Sequence, residues 1–213
     1  MPHLFVDISS HGFGHLAQTG PVLDALAAHL PDLRLTIRSG LPAEKLKQRI
    51  AAPFDPIEQA SDVAFLMHDA TRVDREGSAA AWRAAHADWP VAVAADAELL
   101  SRLAPDLVLA NVSPRPLAAA KAAGIPAVAM CSLNWAEQFG WLFAGEAWAV
   151  PILKQLQAAY GESDAFLRLT PAMPMPALDN SVDLPPVARI GRADRAALAA
   201  ALGGGVDQRG RVA

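Results

Sequence analysis

The chain has 213 residues, of which 53% are hydrophobic and 19% charged, with a net charge of −4. This apolar content excludes intrinsic disorder and supports one large core, and the singly scattered basic residues exclude a nucleic-acid-binding surface. The sole cysteine, Cys131, excludes an intrachain disulfide, Met1-Pro2-His3 lacks a signal-peptide pattern, and no apolar run reaches membrane-spanning length, so a soluble cytoplasmic protein is expected.

The first element predicted is a buried strand over His3 to Ile8, a short apolar run. Ser9 to Gly14 is a polar, Gly-rich loop, and the spacing of Leu16, Val22, Leu23, Leu26 and Leu30 predicts a helix over His15 to Leu30. Gly20-Pro21 predicts a late start or a kink in that helix. A strand follows over Leu33 to Arg38 and a short helix over Pro42 to Ile50, with weaker strands over Phe54 to Gln59 and Val63 to Met67. Asp69 to Gly77 reads as loop. Ser78 to Leu103 is helical in content and interrupted at Trp89-Pro90.

Further strands are expected over Leu107 to Ala110, Ile125 to Met130 and, last, Ala165 to Leu169. Helices are expected over Leu117 to Ala123, Asn134 to Phe143 and Ala149 to Tyr160. The stretch Pro171 to Pro186 carries five prolines and reads as linker; Ala193 to Leu202 is a helix candidate, and Gly203 to Ala213 a disordered tail. The alternation implies an α/β fold, a Rossmann-like parallel sheet with helices on both faces. The domain expected spans residues 1–185, with linker and tail over 186–213.

The most informative segment is Ser9-Ser10-His11-Gly12-Phe13-Gly14-His15. Glycine permits a tight turn and a close backbone approach, and a following helix start favours anionic groups. The match to a dinucleotide fingerprint is poor: Ala17 stands where a third glycine belongs, and Arg38-Ser39 replaces the acid that ends the second strand. The loop contains no phosphate-binding P-loop motif. A plain tight turn therefore stays open beside the ligand-binding reading. Histidine suits proton transfer near neutrality, which makes His11 and His15 candidates for acid–base work. Their four-residue spacing brings no further metal ligands, so no metal site is expected.

The run from Gly12 to Leu26 (GFGHLAQTGPVLDAL) resembles the start of GT-B-fold glycosyltransferases, such as the bacterial peptidoglycan N-acetylglucosaminyltransferase and the plant and macrolide enzymes. The form His-Gly-Phe-Gly-His also resembles glycosyltransferase-like regions fused to some sugar kinases. The likeness is specific over Leu4 to Leu26 and architectural beyond it. It implies the acceptor-side domain of a two-domain enzyme, with a nucleotide-sugar donor as co-substrate and no other cofactor. It implies a general base at His15, with His11 as an addition that the broader family lacks. The stretch Val187 to Arg192 resembles the crossing into a donor-binding domain. The expectation is then a truncated product, or one half of a two-chain enzyme whose partner or second copy completes it.

The acceptor expected is a sugar or glycosylated small molecule, held by His11, Gly12, Phe13, Gly14, Asn111, Ser113, Ser132, Asn134 and Trp135 at strand ends. Ser132 and Asn134 also fit helix capping. Asp69 is the candidate to orient the catalytic histidine. Trp135, Phe139, Trp141, Phe143 and Trp148 read mainly as core, with a membrane-proximal acceptor surface as the other reading; Cys131 reads as a small buried residue. A non-catalytic sugar- or nucleotide-binding module remains the alternative to an enzyme.

Overall fold

The computed structural model describes residues 1–191 and 194–201. Its core is a seven-stranded sheet in which every pairing is parallel. The elements in chain order are β1 (His3–Ile8), α1 (Phe13–His29), β2 (Arg34–Ser39), α2 (Ala43–Lys47), β3 (Asp55–Glu58), α3 (Arg75–Ala87), α4 (Trp89–Leu103), β4 (Leu107–Asn111), α5 (Pro114–Ala123), β5 (Ala127–Cys131), α6 (Trp135–Leu142), α7 (Ala149–Gly161), β6 (Ala165–Leu169), β7 (Ser181–Leu184) and α8 (Arg195–Ala201). Strand order is β3-β2-β1-β4-β5-β6-β7, so the chain reverses direction across the sheet between β1 and β4. In open α/β sheets that reversal leaves a crevice outside the carboxyl ends of the two strands, where ligands bind.

Side-chain alternation explains why both faces are covered. Leu4, Val6 and Ile8 of β1 join Leu35, Ile37, Leu109 and Met130 in one apolar cluster with Leu16 and Leu23 of α1. Phe5 joins Val108, Ala110, Ala129 and Phe166 in the other, with Trp82, Leu100, Leu117, Phe139 and Leu156 from α3 to α7. Successive strand side chains point to opposite faces, and each fully buried large one contributes about 1.5–3 kcal/mol.

The expected elements and the observed ones differ in four places. Helix α1 runs without interruption through Pro21, and Gly20 packs so closely that an added Cβ would meet the Arg49 carbonyl at 2.7 Å. The strand expected over Val63 to Met67 is an irregular segment with a single Met67–Val73 bridge. Pro114 and Pro116 lie inside the first turn of α5, where a missing N–H costs nothing, so that helix starts earlier than expected. The proline-rich stretch read as linker contains β7, a four-residue exposed edge strand held by β6. Prolines flank it without interrupting it, as edge strands allow. The expected tail over Gly203 to Ala213 lies outside the described residues.

Candidate functional site

The site begins where β1 ends. Gly12, at φ 88°, precedes α1 in a conformation that side-chain-bearing residues rarely adopt. This turn sets His15 in the second half of the first helical turn, facing the ends of β4 and β5. The ring is buried, 6% exposed, and its Nδ1 lies 2.9 Å from Asn111 Oδ1 at the end of β4.

A chain of directed hydrogen bonds fixes which groups donate. The Thr19 hydroxyl donates to the His15 carbonyl at 2.8 Å. Asn111 Nδ2 donates to Thr19 Oγ1 at 2.9 Å. The amide is thereby oriented with Oδ1 toward the imidazole, and an amide oxygen only accepts. His15 Nδ1 must therefore carry the proton, which leaves Nε2 with its lone pair. No hydrogen bond from a described residue reaches Nε2. Burial is the largest influence on the ring and holds its pKa below the ordinary histidine value; Asn111 and the charge of Asp62 oppose this, and His11 adds to it. Burial thus favours the neutral form of the ring.

His15 lines a pocket of about 280 Å³ with His11, Gly14, Gln18, Cys131, Ser132, Leu133, Trp135 and Gln138. Gln18 Nε2 donates to Ser132 Oγ at 2.9 Å, joining α1 to the β5 loop. The Trp135 ring meets both histidines edge-on, at 5.5 Å from His11 and 5.7 Å from His15. Its Nε1 donates to Asp62 Oδ2 at 3.0 Å. Burial is also the main influence on Asp62 and pushes its carboxyl upward; Asp7 adds to this, while Ser9 and Trp135 hydrogen bonds offset part of it. Burial pushes the Cys131 thiol up to about 11, so it stays protonated beside His15.

The structure brings together six of the expected residues: His11, Gly14, His15, Ser132 and Trp135 line the pocket, and Asn111 is bonded to His15 Nδ1. Gly12 shapes the turn, and Phe13 points outward, 61% exposed. Asn134 is committed to capping α6, its Oδ1 accepting from the Glu137 N–H at 2.8 Å. Ser113 is fully buried at the start of α5 and does not line the pocket. Asp69 does not orient His15: it is exposed, and its carboxylate is taken by Arg72 and Thr71 of its own turn. The partner on Nδ1 is an amide, and the carboxyl nearest in effect is Asp62.

Sequence reasoning missed Gln18, Gln138 and Asp62. Gln18 follows His15 by three residues, a spacing that places both on one helix face, so it was legible in principle. Asp62 lies in an irregular segment between β3 and α3, and no local pattern marks it. Among the described residues, no group of three or more His, Cys, Asp or Glu is placed to hold a metal ion. No helix of the described residues is long and apolar enough to cross a membrane.

No protein-family model and no curated protein sequence matches the chain. Solved structures do. A UDP-glucosyltransferase from Polygonum tinctorium, described as capable of glucosylating indoxyl and solved with 3,4-dichloroaniline, superposes with a TM-score of 0.54 at 13% identity over 95% of this chain and 56% of its own. The glycotransferase of kitacinnamycin gives 0.54 at 14% identity, over 90% of this chain and 53% of its own. The spinosyn forosaminyltransferase SpnP gives 0.52 at 16% identity, over 91% and 52%. The chain spans a little over half the length of these neighbours. Its fold is the N-terminal, Rossmann-like half of the GT-B arrangement.

Proposed function

We propose that the chain supplies the acceptor-binding half of a glycosyltransferase, with His15 as the base that activates an acceptor hydroxyl. The observation that carries this reading is the directed bonding around His15, which commits Nδ1–H to Asn111 and leaves the Nε2 lone pair unshared beside the pocket. A base must be within reach of the proton it removes and unprotonated at working pH, and a buried neutral imidazole lining the pocket is suited to both.

In the reaction, Nε2 takes the proton of the acceptor hydroxyl. The acceptor oxygen bonds to the anomeric carbon of the donor sugar, and the bond from that carbon to phosphate breaks, releasing the nucleoside diphosphate. Asn111 holds the ring in one tautomer, and Asp62 eases the positive charge the ring acquires. His11, Ser132 and Gln138 are the polar groups available to the acceptor. In this reading a second Rossmann-like unit, in the same polypeptide or a partner chain, holds the nucleotide in the cytoplasm.

One observation favours a second reading, a sugar- or nucleotide-binding module without catalysis. The group on Nδ1 is an amide, which cannot share the charge of an imidazolium as a carboxylate does. UDP release from UDP-glucose in the presence of hydroxyl-bearing acceptors, together with calorimetry at several pH values, separates the two. Turnover that His15→Gln abolishes supports the enzyme. Acceptor binding that follows His15 protonation, with no turnover even when a donor-holding second unit is supplied, supports the module. Ligand binding indifferent to His15→Gln and to pH overturns the site itself.

A further inference from the structure

A hollow of about 80 Å³ opens between α3, α4 and α5, and it shares no lining residue with the His15 pocket. It is several times the roughly 10–15 Å³ that one water needs, and well short of the roughly 300 Å³ at which small-molecule pockets begin. A single small ion or group of a few heavy atoms suits that size. Most of its polar lining donates. Arg115 is bonded to Asp96 through Nε at 2.8 Å, and its two terminal nitrogens have no partner among the described residues. Trp82 is 1% exposed, and its indole N–H has no partner among them either. Trp89 opens α4, and Pro114 and Arg115 open α5, so two helix N-termini border the hollow. Neither is capped by a side-chain hydrogen bond. His86 stacks on Trp89 at 4.5 Å and on Trp82 at 5.4 Å, which fixes the aromatic wall. Facing these donors is one acceptor of full charge, Asp62, the only carboxylate in the lining.

We propose that this hollow binds hydrogen phosphate, its oxygens accepting from Arg115 and the Trp82 indole and its own O–H donating to Asp62. The site does not depend on the role of His15. A guanidinium edge and two helix N-termini favour an oxyanion, and they repel a cation. An apolar group would leave the Trp82 N–H stranded in a buried place. An anion without a proton would set bare oxygen against the Asp62 carboxylate, and like charges at close range are costly. Hydrogen phosphate carries acceptors for one wall and a proton for the other. Sulfate lacks that proton and can bond Asp62 only after one is drawn from solvent.

The test uses the whole chain at about pH 7.5, with inorganic phosphate, sulfate and methyl phosphate as probes; at that pH a phosphate monoester has lost its second proton, near pH 6, and inorganic phosphate keeps one. Calorimetry reads affinity, and the Trp82 indole N–H signal in NMR, assigned with Trp82→Phe, reads position. Inorganic phosphate is expected to bind about tenfold or more tightly than either other ion and to shift the Trp82 signal. Arg115→Gln should weaken it by about tenfold or more. Because that change also disturbs Asp96, Asp62→Asn is the second variant, with circular dichroism checking the fold of both. Its amide keeps an oxygen for Trp135 and can offer N–H in place of the second carboxylate oxygen, so sulfate should rise to the affinity of phosphate. Sulfate matching phosphate in the wild type would overturn the role of Asp62. Methyl phosphate binding as tightly as inorganic phosphate would overturn the free ion and make the hollow a seat for a phosphate head group. Absence of phosphate binding, or binding that leaves the Trp82 signal unmoved, would overturn the site.

Discussion

Two polar networks are buried near the carboxyl end of this sheet, and they follow opposite rules. One is built of charges. Arg38 is bonded to Asp7 at 2.6 Å and to both oxygens of Asp96 at 2.8 and 2.9 Å, and Arg115 adds a bond to Asp96 at 2.8 Å. Burial disfavours the charged forms of Arg38 and Asp96, yet Asp7 and Asp96 raise Arg38 above its ordinary value, and Arg38 and Arg115 hold Asp96 below its own. The other network, Thr19 to Asn111 to His15, carries no formal charge and ends at an unbonded nitrogen. Where charge is fully answered the groups tie β1, β2, α4 and α5 together. Where the network is neutral, one nitrogen is left unmatched beside the pocket.

Breaking the charged network should have the largest effect. Arg38→Met leaves Asp7 and Asp96 without their main partner and is expected to cost about 3–5 kcal/mol of stability, read by urea denaturation. A midpoint unchanged from wild type would show that the ions do not hold the scaffold. Asn111→Ala should cost less, about 1–3 kcal/mol, by stranding the His15 Nδ1–H and removing the donor to Thr19 Oγ1. Its distinguishing sign is loss of the single Nδ1–H tautomer in nitrogen NMR. Asn111→Asp tests the same contact in the other direction: a carboxylate there should raise the His15 pKa by roughly one or more. A pKa that stays depressed would mean the residue does not face the ring.

A smaller effect is expected from pH. His15 and His86 are both held below the ordinary histidine value, chiefly by burial. The unfolded chain therefore binds those protons first, and stability falls as pH drops from the ordinary value toward the depressed folded ones, while above that range it is flat. Urea midpoints at about pH 7.5 and about pH 5.5 check this. Asp62→Asn should be the mildest change. The amide still accepts from Trp135, and the loss of Asp62's charge should lower the His15 pKa further without unfolding the protein. An upward movement of that pKa would place Asp62 outside the field felt by the ring.

The fold was legible wherever a local pattern and a buried environment agreed. Leu4, Val6 and Ile8 alternate with Phe5 along a strand that is buried throughout, and its boundaries are those expected. The edge strand β7 was hidden because its four residues are fixed by pairing with β6, while the prolines around it suggest loop. At the site, His15 and Asn111 could be nominated because glycines and strand ends announce them. Asp69 was the wrong acid for a physical reason: it forms a local turn with Thr71 and Arg72, and sequence proximity to a strand candidate says nothing about direction. Asp62 acquires its meaning from Trp135, more than seventy residues away, so no window of sequence contains the signal.

The Thr19 hydroxyl sets the direction of the hydrogen-bond relay. Because it gives its single proton to the His15 carbonyl, it can only receive from Asn111, and the whole relay acquires a polarity like that of a diode. Reverse that one proton and the amide is free to turn over, offering N–H to the imidazole where it now offers oxygen. His15 would then hold its hydrogen on Nε2, and the pocket would face a donor in place of a base. On the proposed reading, a methyl-bearing side chain one turn up the helix sets whether this edge of the sheet takes protons or gives them.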